Sequence, residues 1–342
     1  MLLLGHTAPT PYRQLLQEDR VVEWATVWLF LAAGILGARR AITDRRLFIG
    51  LVALFCLFVA GEEFSWGQRL LGFYPPEFFL GNNFQQEFNV HNLPQSFLQP
   101  KWVLMAALGG YGVLLPALSR MERPRVLMRR VGVTAPPVDV VPWFTAAMAL
   151  LVWYPLTLTG EWVELFAGAL FLVSMRPAPR TFWVLLASGP LVGAALTLAT
   201  DSLEHERNAG RRVCAAAEAQ RLLEDIASGH AGTQQLWQMN RVHKRIWSSV
   251  NDSYLYAGKL RTFHGICADA GTDQLALRHK YGLDPWGSPY WLVVDTIADN
   301  DRRVTVYSFG PNRRRDIDPT GDDIVATSIR HVKLDAPPTM PN

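Results

Sequence analysis

Cysteine is scarce in this chain, three residues in 342, which excludes a disulfide-built scaffold and a cysteine-rich zinc domain. Charge is scarce in one part only: residues 1–200 carry 15 Lys+Arg and 12 Asp+Glu, whereas the shorter stretch 201–342 carries 18 and 18. The first part is too apolar for water, and the second has ordinary soluble composition. A purely soluble enzyme is thereby excluded. The net charge of +3 is scattered in short clusters rather than gathered on one soluble module, so nucleic acid is not an expected partner. The opening MLLLGHTAPT has neither a basic n-region nor an apolar stretch long enough for a cleaved signal, so export is expected to rely on internal spans. No H-E-x-x-H and no G-x-S-x-G occurs, which removes two common hydrolase signatures.

What is present is a series of apolar stretches. A hydrocarbon core of about 30 Å needs roughly 20 helical residues, and six segments approach that length: about 21–38, 47–66, 102–119, 140–158, 162–175 and 182–200. The expected first domain, 1–202, is therefore a six-span helical membrane domain. Arginines alternate by loop. Arg39, Arg40, Arg45 and Arg46 follow the first span, Arg120, Arg123, Arg125, Arg129 and Arg130 the third, and Arg176 and Arg180 the fifth. Because basic loops stay cytoplasmic, the expected topology is N-out and C-out in a bacterial inner membrane. The 67–101 connection and everything after 200 then face outward.

Ionisable residues collect at that outward rim. The apolar run of the second span ends at Gly61, about 22 Å after Leu47, so Glu62 and Glu63 lie at the edge of the hydrocarbon. Glu161 and Glu164 open the fifth span, and Asp201, Glu204 and His205 close the sixth. Helical spacing puts Glu62, Trp66 and Arg69 on one face, and the following loop adds Glu87, Asn89 and His91. Charges at this depth are expensive and by default functional. Two readings stay open for Glu62, Glu63, Arg69, His91, Glu164, Asp201 and His205: an acid/base or metal site acting on membrane lipid, or groups that pair with one another behind a belt of Trp66, Tyr74, Trp102 and Trp162.

The blocks GEEFSWGQR and NNFQQEFNVHN look like those of multi-pass bacterial membrane proteins of undefined activity. Glu62-x-x-Ser65, Asp201 and His205 are also loosely similar to membrane zinc hydrolases, although that family's His-x-x-x-His pair is missing.

Beyond residue 201 the sequence reads as a helix, with Val213, Ala217, Leu222 and Ile226 on its apolar stripe, and a second helical stretch follows near 234–250. The period then drops to two around Val293, Val304, Val306 and Tyr307, with turn signals at Asp284-Pro285 and Gly287. The order of a long helix, Asp-Pro-Trp-Gly-Ser-Pro-Tyr (284–290), paired strands, Ser308-Phe309-Gly310-Pro311-Asn312 and Gly321-Asp322-Asp323-Ile324 resembles the C-terminal domain of the type II secretion major pseudopilin over about 210–330. The resemblance implies a small exported α+β domain, 203–335, with a long helix and an antiparallel sheet. It also implies a calcium loop, whose oxygen donors here are Asn312, Asp316, Asp318, Asp322 and Asp323. Arg313, Arg314 and Arg315 sit where that family is glycine-rich, so a loop latched by Arg–Asp pairs is the alternative to calcium.

The family's peptidase junction and fifth-position glutamate are absent before residue 200, which argues against a filament subunit and for a display or interaction role toward exported or envelope proteins. The alternative is a membrane-embedded enzyme at the outer face, a hydrolase or transferase with or without a metal. Cys214 and Cys267 fall on the exported side, where disulfides form, either as a bridge or as two packed thiols.

Overall fold

The computed structural model describes residues 2–16, 20–71, 73, 75–82, 88–90, 100–156, 158–227, 283–288, 290–298, 301–311 and 323–331. Short helices α1 (Leu2–Thr7) and α2 (Pro9–Leu16) precede α3 (Val21–Asp44) and α4 (Leu47–Glu63). Then come α5 (Gln68–Leu71), α6 (Glu77–Asn82), α7 (Pro100–Ala107), a π-helical segment (Leu108–Leu114), α8 (Leu115–Arg120) and α9 (Glu122–Arg130). Helices α10 (Val141–Trp153), α11 (Thr159–Ser174) and α12 (Pro179–Ala227) follow, and strands β1 (Trp291–Ala298), β2 (Asp301–Ser308) and β3 (Ile324–His331) complete the described elements. They fall in two compact units, one within 1–72, 89–91 and 95–202, the other within 73–88, 92–94 and 203–342.

Three described helices are long and apolar enough to cross a membrane: Val21–Asp44, Lys101–Arg120 and Pro179–Thr200. The expectation of six full-length spans is corrected here. Helices α4, α10 and α11 have 17, 13 and 16 residues, so the shortest rises only about 20 Å. Left-handed residues end them early, Tyr154 after α10 and Leu158 ahead of α11. These short helices supply much of the core.

Close approach makes that core possible. A Cβ on Gly34 of α3 would meet Leu57 at 2.6 Å, and one on Gly37 would meet both Ala53 and Met175 at 2.9 Å. In lipid, where apolar surface alone does not drive helices together, such small-residue contacts do the packing. Phe171 of α11 is the hub. It meets Phe30 of α3 at 5.9 Å, Phe55 of α4 at 5.3 Å and Phe144 of α10 at 5.9 Å, and Tyr111 of the π-segment stacks on it at 5.2 Å. The π-segment's glycines allow this, since any side chain at Gly112 would enter the Phe144 ring.

The other unit contains the antiparallel meander β1-β2-β3. Val304, Val306 and Ser308 of β2 are buried together with Ala326 of β3 on one face, and Thr305 between them is buried on the other, so the middle of β2 is covered on both faces. The part of α12 in this unit buries Cys214, Ala215, Glu218, Ala219, Leu222 and Leu223. The expected stripe is corrected: Val213 is 74% exposed, because the buried face follows the i, i+4 pairs 214/218/222 and 215/219/223. The helical stretch expected near 234–250 lies outside the described residues.

Candidate functional site

The helical unit is polarised end to end. At one end the arginine-rich turns meet: Arg46 donates to Thr134 Oγ1 at 3.2 Å, and Arg40 donates to the Met175 carbonyl at 3.4 Å while pairing with Asp44 at 3.2 Å. Tyr111 and Ser174 line one small pocket with Arg40 at this end. The connections after α3, α9 and α11 thus converge, which separation in sequence does not reveal.

At the other end are the carboxylates. Glu63 lies in the field of Glu164, Glu161 and Glu62, so four of the rim acids expected from sequence do come together. Glu62 is buried and held twice: the Trp66 indole N–H donates to Oε1 at 2.8 Å, and the Val90 backbone N–H donates to Oε2 at 2.6 Å. Asn89 Nδ2, also buried, donates to Ser65 Oγ at 3.1 Å. Tyr12 stands beside Trp162, Tyr154 and Glu161, and burial pushes its hydroxyl pKa above the usual tyrosine value.

The backbone that builds this end departs from the helical reading. Helix α4 stops at Glu63, and Ser65, Trp66 and Gly67 take φ of 48°, 52° and 83° in succession. The expected continuous face Glu62–Trp66–Arg69 is therefore corrected. Trp66 reaches Glu62 by a left-handed turn, and Arg69 begins again on α5. Left-handed conformations cost roughly 1–2 kcal/mol for residues with a Cβ, and here the Glu62 and Ser65 hydrogen bonds hold them. Only Gly67 was a sequence signal for this turn; Ser65 and Trp66 gave none.

The remaining expected residues are less completely placed. The side chain of Arg69 and all of Glu87 and His91 lie outside the described residues. Asp201 and His205 lie on α12, their side chains outside the described residues. Among the described residues, no group of three His, Cys, Asp or Glu is arranged to hold a metal ion. Chemically, the gathered carboxyls are suited to holding and delivering protons, and Glu62 is fixed in orientation by two donors.

In the sheet-containing unit the two motif strings meet at Asp284, which is wholly buried. Its Oδ1 accepts from the backbone N–H groups of Trp286 at 3.0 Å and Ser288 at 2.9 Å, and its Oδ2 accepts from Ser308 Oγ at 2.6 Å. Ser308 Oγ in turn accepts from the Gly310 N–H at 3.1 Å. Gly287, at φ 89°, closes the turn. Tyr290 completes the string by donating to Glu218 of α12 at 2.6 Å. Sequence analysis named these motifs but not the bonds that join them.

Of the proposed calcium donors, Asn312, Asp316, Asp318 and Asp322 lie outside the described residues, and Asp323 directly precedes β3. Cys214 is disulfide-bonded and Cys56 is a buried free thiol; Cys267 lies outside the described residues. Comparison with known proteins finds no family model, no curated protein and no solved structure that matches this chain.

Proposed function

We propose that this chain is a multi-pass protein of the bacterial inner membrane that displays a pseudopilin-like module on the outer side, where the module engages exported or envelope proteins. Convergence of the arginine-rich turns at one end of the helical unit, with carboxylates at the other, supports a carboxylate end that faces outward under the positive-inside rule. A disulfide at Cys214 fits an oxidising compartment.

The observation that carries the reading is the Asp284 centre. It joins the Asp-Pro-Trp-Gly-Ser and Ser-Phe-Gly strings in one buried polar knot, as expected of a module folded for presentation and not of a linker. The test is photocrosslinking in intact cells from Val325 or Ile329 of β3, which are 52% and 65% exposed. Crosslinks to exported or envelope proteins that vanish in Asp284→Ala, at unchanged chain level, support the proposal. Crosslinks to cytosolic proteins alone sink it.

One observation favours a second reading, an enzyme acting on a lipid or lipid-linked substrate with Glu62 as general base. Glu62 is the rim acid oriented by two donors from different segments. Under this reading Glu62→Gln abolishes the cellular phenotype while the chain stays expressed and folded, with only a modest fall in melting temperature from the lost acceptor; if loss of phenotype tracks loss of stability across variants, the residue is structural.

A further inference from the structure

The basic end of the helical unit has a feature that neither display nor rim chemistry uses. A small pocket opens there, lined by Arg40, Phe48, Ile49, Val52, Tyr111 and Thr134 among others. It has room for about one water-sized group, enough for a single phosphate oxygen with the rest of the group at the mouth. Cations outnumber anions around it. Arg40 shares its charge with Asp44, Arg46 bonds the neutral Thr134 among the described contacts, and Arg176 directly follows Met175, which lines the pocket.

The chain leading into this pocket points the same way. Thr134 follows α9, a helix with no buried residue that carries Arg123, Arg125, Arg129 and Arg130. Leu127 of α9 is nonetheless 61% exposed, and Val126 is 43% exposed. Arginines interleaved with exposed aliphatic side chains are the composition of a helix lying in a headgroup layer.

We propose that this pocket and α9 together bind the phosphate of an anionic phospholipid. Arg40 and Arg176 bracket the phosphodiester at the mouth, the Thr134 hydroxyl donates to the oxygen that enters, and Phe48, Ile49 and Val52 line the pocket around that oxygen. Basic pockets between membrane helices bind anionic headgroups in this manner, and guanidinium pairs suit phosphate geometry. The inference goes beyond the proposed function and does not depend on which side of the membrane the pocket faces.

The experiment uses the full-length protein purified in a neutral detergent, with lipid retention read by native mass spectrometry. Phosphatidylglycerol is compared with phosphatidylcholine and with inorganic phosphate. Retention of phosphatidylglycerol, weakened about tenfold by Arg40→Gln or Arg176→Gln, is the expected result. Thr134→Val removes a hydroxyl without touching the Asp44 pair, and it too should weaken retention, which keeps the test valid if Arg40→Gln misfolds. Equal retention of phosphatidylcholine overturns the proposal, as does unchanged retention in the variants, which would mean that α9 alone attracts lipid. Binding of inorganic phosphate as strong as that of the lipid also overturns it, since the ligand would then be a free anion.

Discussion

Asp284 offers the sharpest energetic test, because each oxygen of its carboxylate has a named donor and the group has no access to water. Asp284→Ala leaves the N–H groups of Trp286 and Ser288 without their acceptor. At roughly 1–3 kcal/mol for each stranded buried donor, the loss is about 3–5 kcal/mol. Asp284→Asn retains the Oδ1 bonds but turns Oδ2 into an amide that donates. Ser308 Oγ already accepts from Gly310, so the serine proton loses its acceptor, a cost of about 2 kcal/mol. Ser308→Ala removes the same link from the other side for about 1 kcal/mol. The double variant Asp284→Asn/Ser308→Ala should then cost less than the two singles together, by about 1 kcal/mol. Amide hydrogen exchange at Trp286, Ser288 and Gly310 in the full-length protein reads these terms directly, with 2 kcal/mol appearing as about 30-fold faster exchange. Fully additive effects, or exchange in Asp284→Ala within about threefold of the parent, would refute the knot as the element joining the two motif strings.

Phe171→Ala is expected to destabilise the helical unit by about 3–5 kcal/mol, measured as a fall in its melting temperature, because four rings lose their common partner; a loss under 1 kcal/mol would displace Phe171 from the hub. Gly37→Val puts atoms within 2.9 Å of Ala53 and Met175 and should cost about 1–3 kcal/mol, whereas Gly110→Val, where nothing lies within 4 Å of the added Cβ, should be mild by comparison. Trp66→Phe deletes the indole donor to Glu62 Oε1 but keeps the ring contact with Phe58, so about 1 kcal/mol should be lost, with protease nicking between 64 and 68 as the readout. Alkylation of the denatured, unreduced chain should modify Cys56 and spare Cys214; a modified Cys214 contradicts the bridge.

Local signals were legible where the physics is local. The run of strand formers around Val304 and Val306 yields a strand, although Thr305 between them is buried too, and Asp284-Pro285 with Gly287 yields a turn, since both follow from residue types with fixed φ preferences. Span lengths were less legible because hydropathy counts apolar residues and not helical ones. Leu158 is apolar yet left-handed ahead of α11, and Tyr154 does the same after α10. The α12 stripe was misplaced for a related reason: Glu218 reads as a solvent residue until Tyr290, 72 positions away, supplies the donor that lets it be buried.

The rim acids show the same limit on a site. Depth alone groups Glu62, Glu63, Glu161 and Glu164, each of which lies near the end of a helix on the carboxylate side of the unit. Depth does not distinguish them from one another; orientation does, and orientation comes from Trp66 and Val90. The Trp66 contribution needs Ser65 and Trp66 in a conformation neither residue favours, and so no propensity announces it. A turn with two unfavourable left-handed residues persists only if something compensates, and the compensation visible here is the pair of donors on one carboxylate together with the Asn89–Ser65 bond. Substituting Glu62 should therefore relax the turn as well as remove a charge. Glu62→Gln, which keeps an acceptor oxygen for one of the two N–H groups, separates the loss of charge from the loss of shape, and Glu62→Ala combines them. If both variants leave Trp66 fluorescence and nicking at the turn unchanged, the carboxylate does not hold the turn, and the strain must be balanced elsewhere.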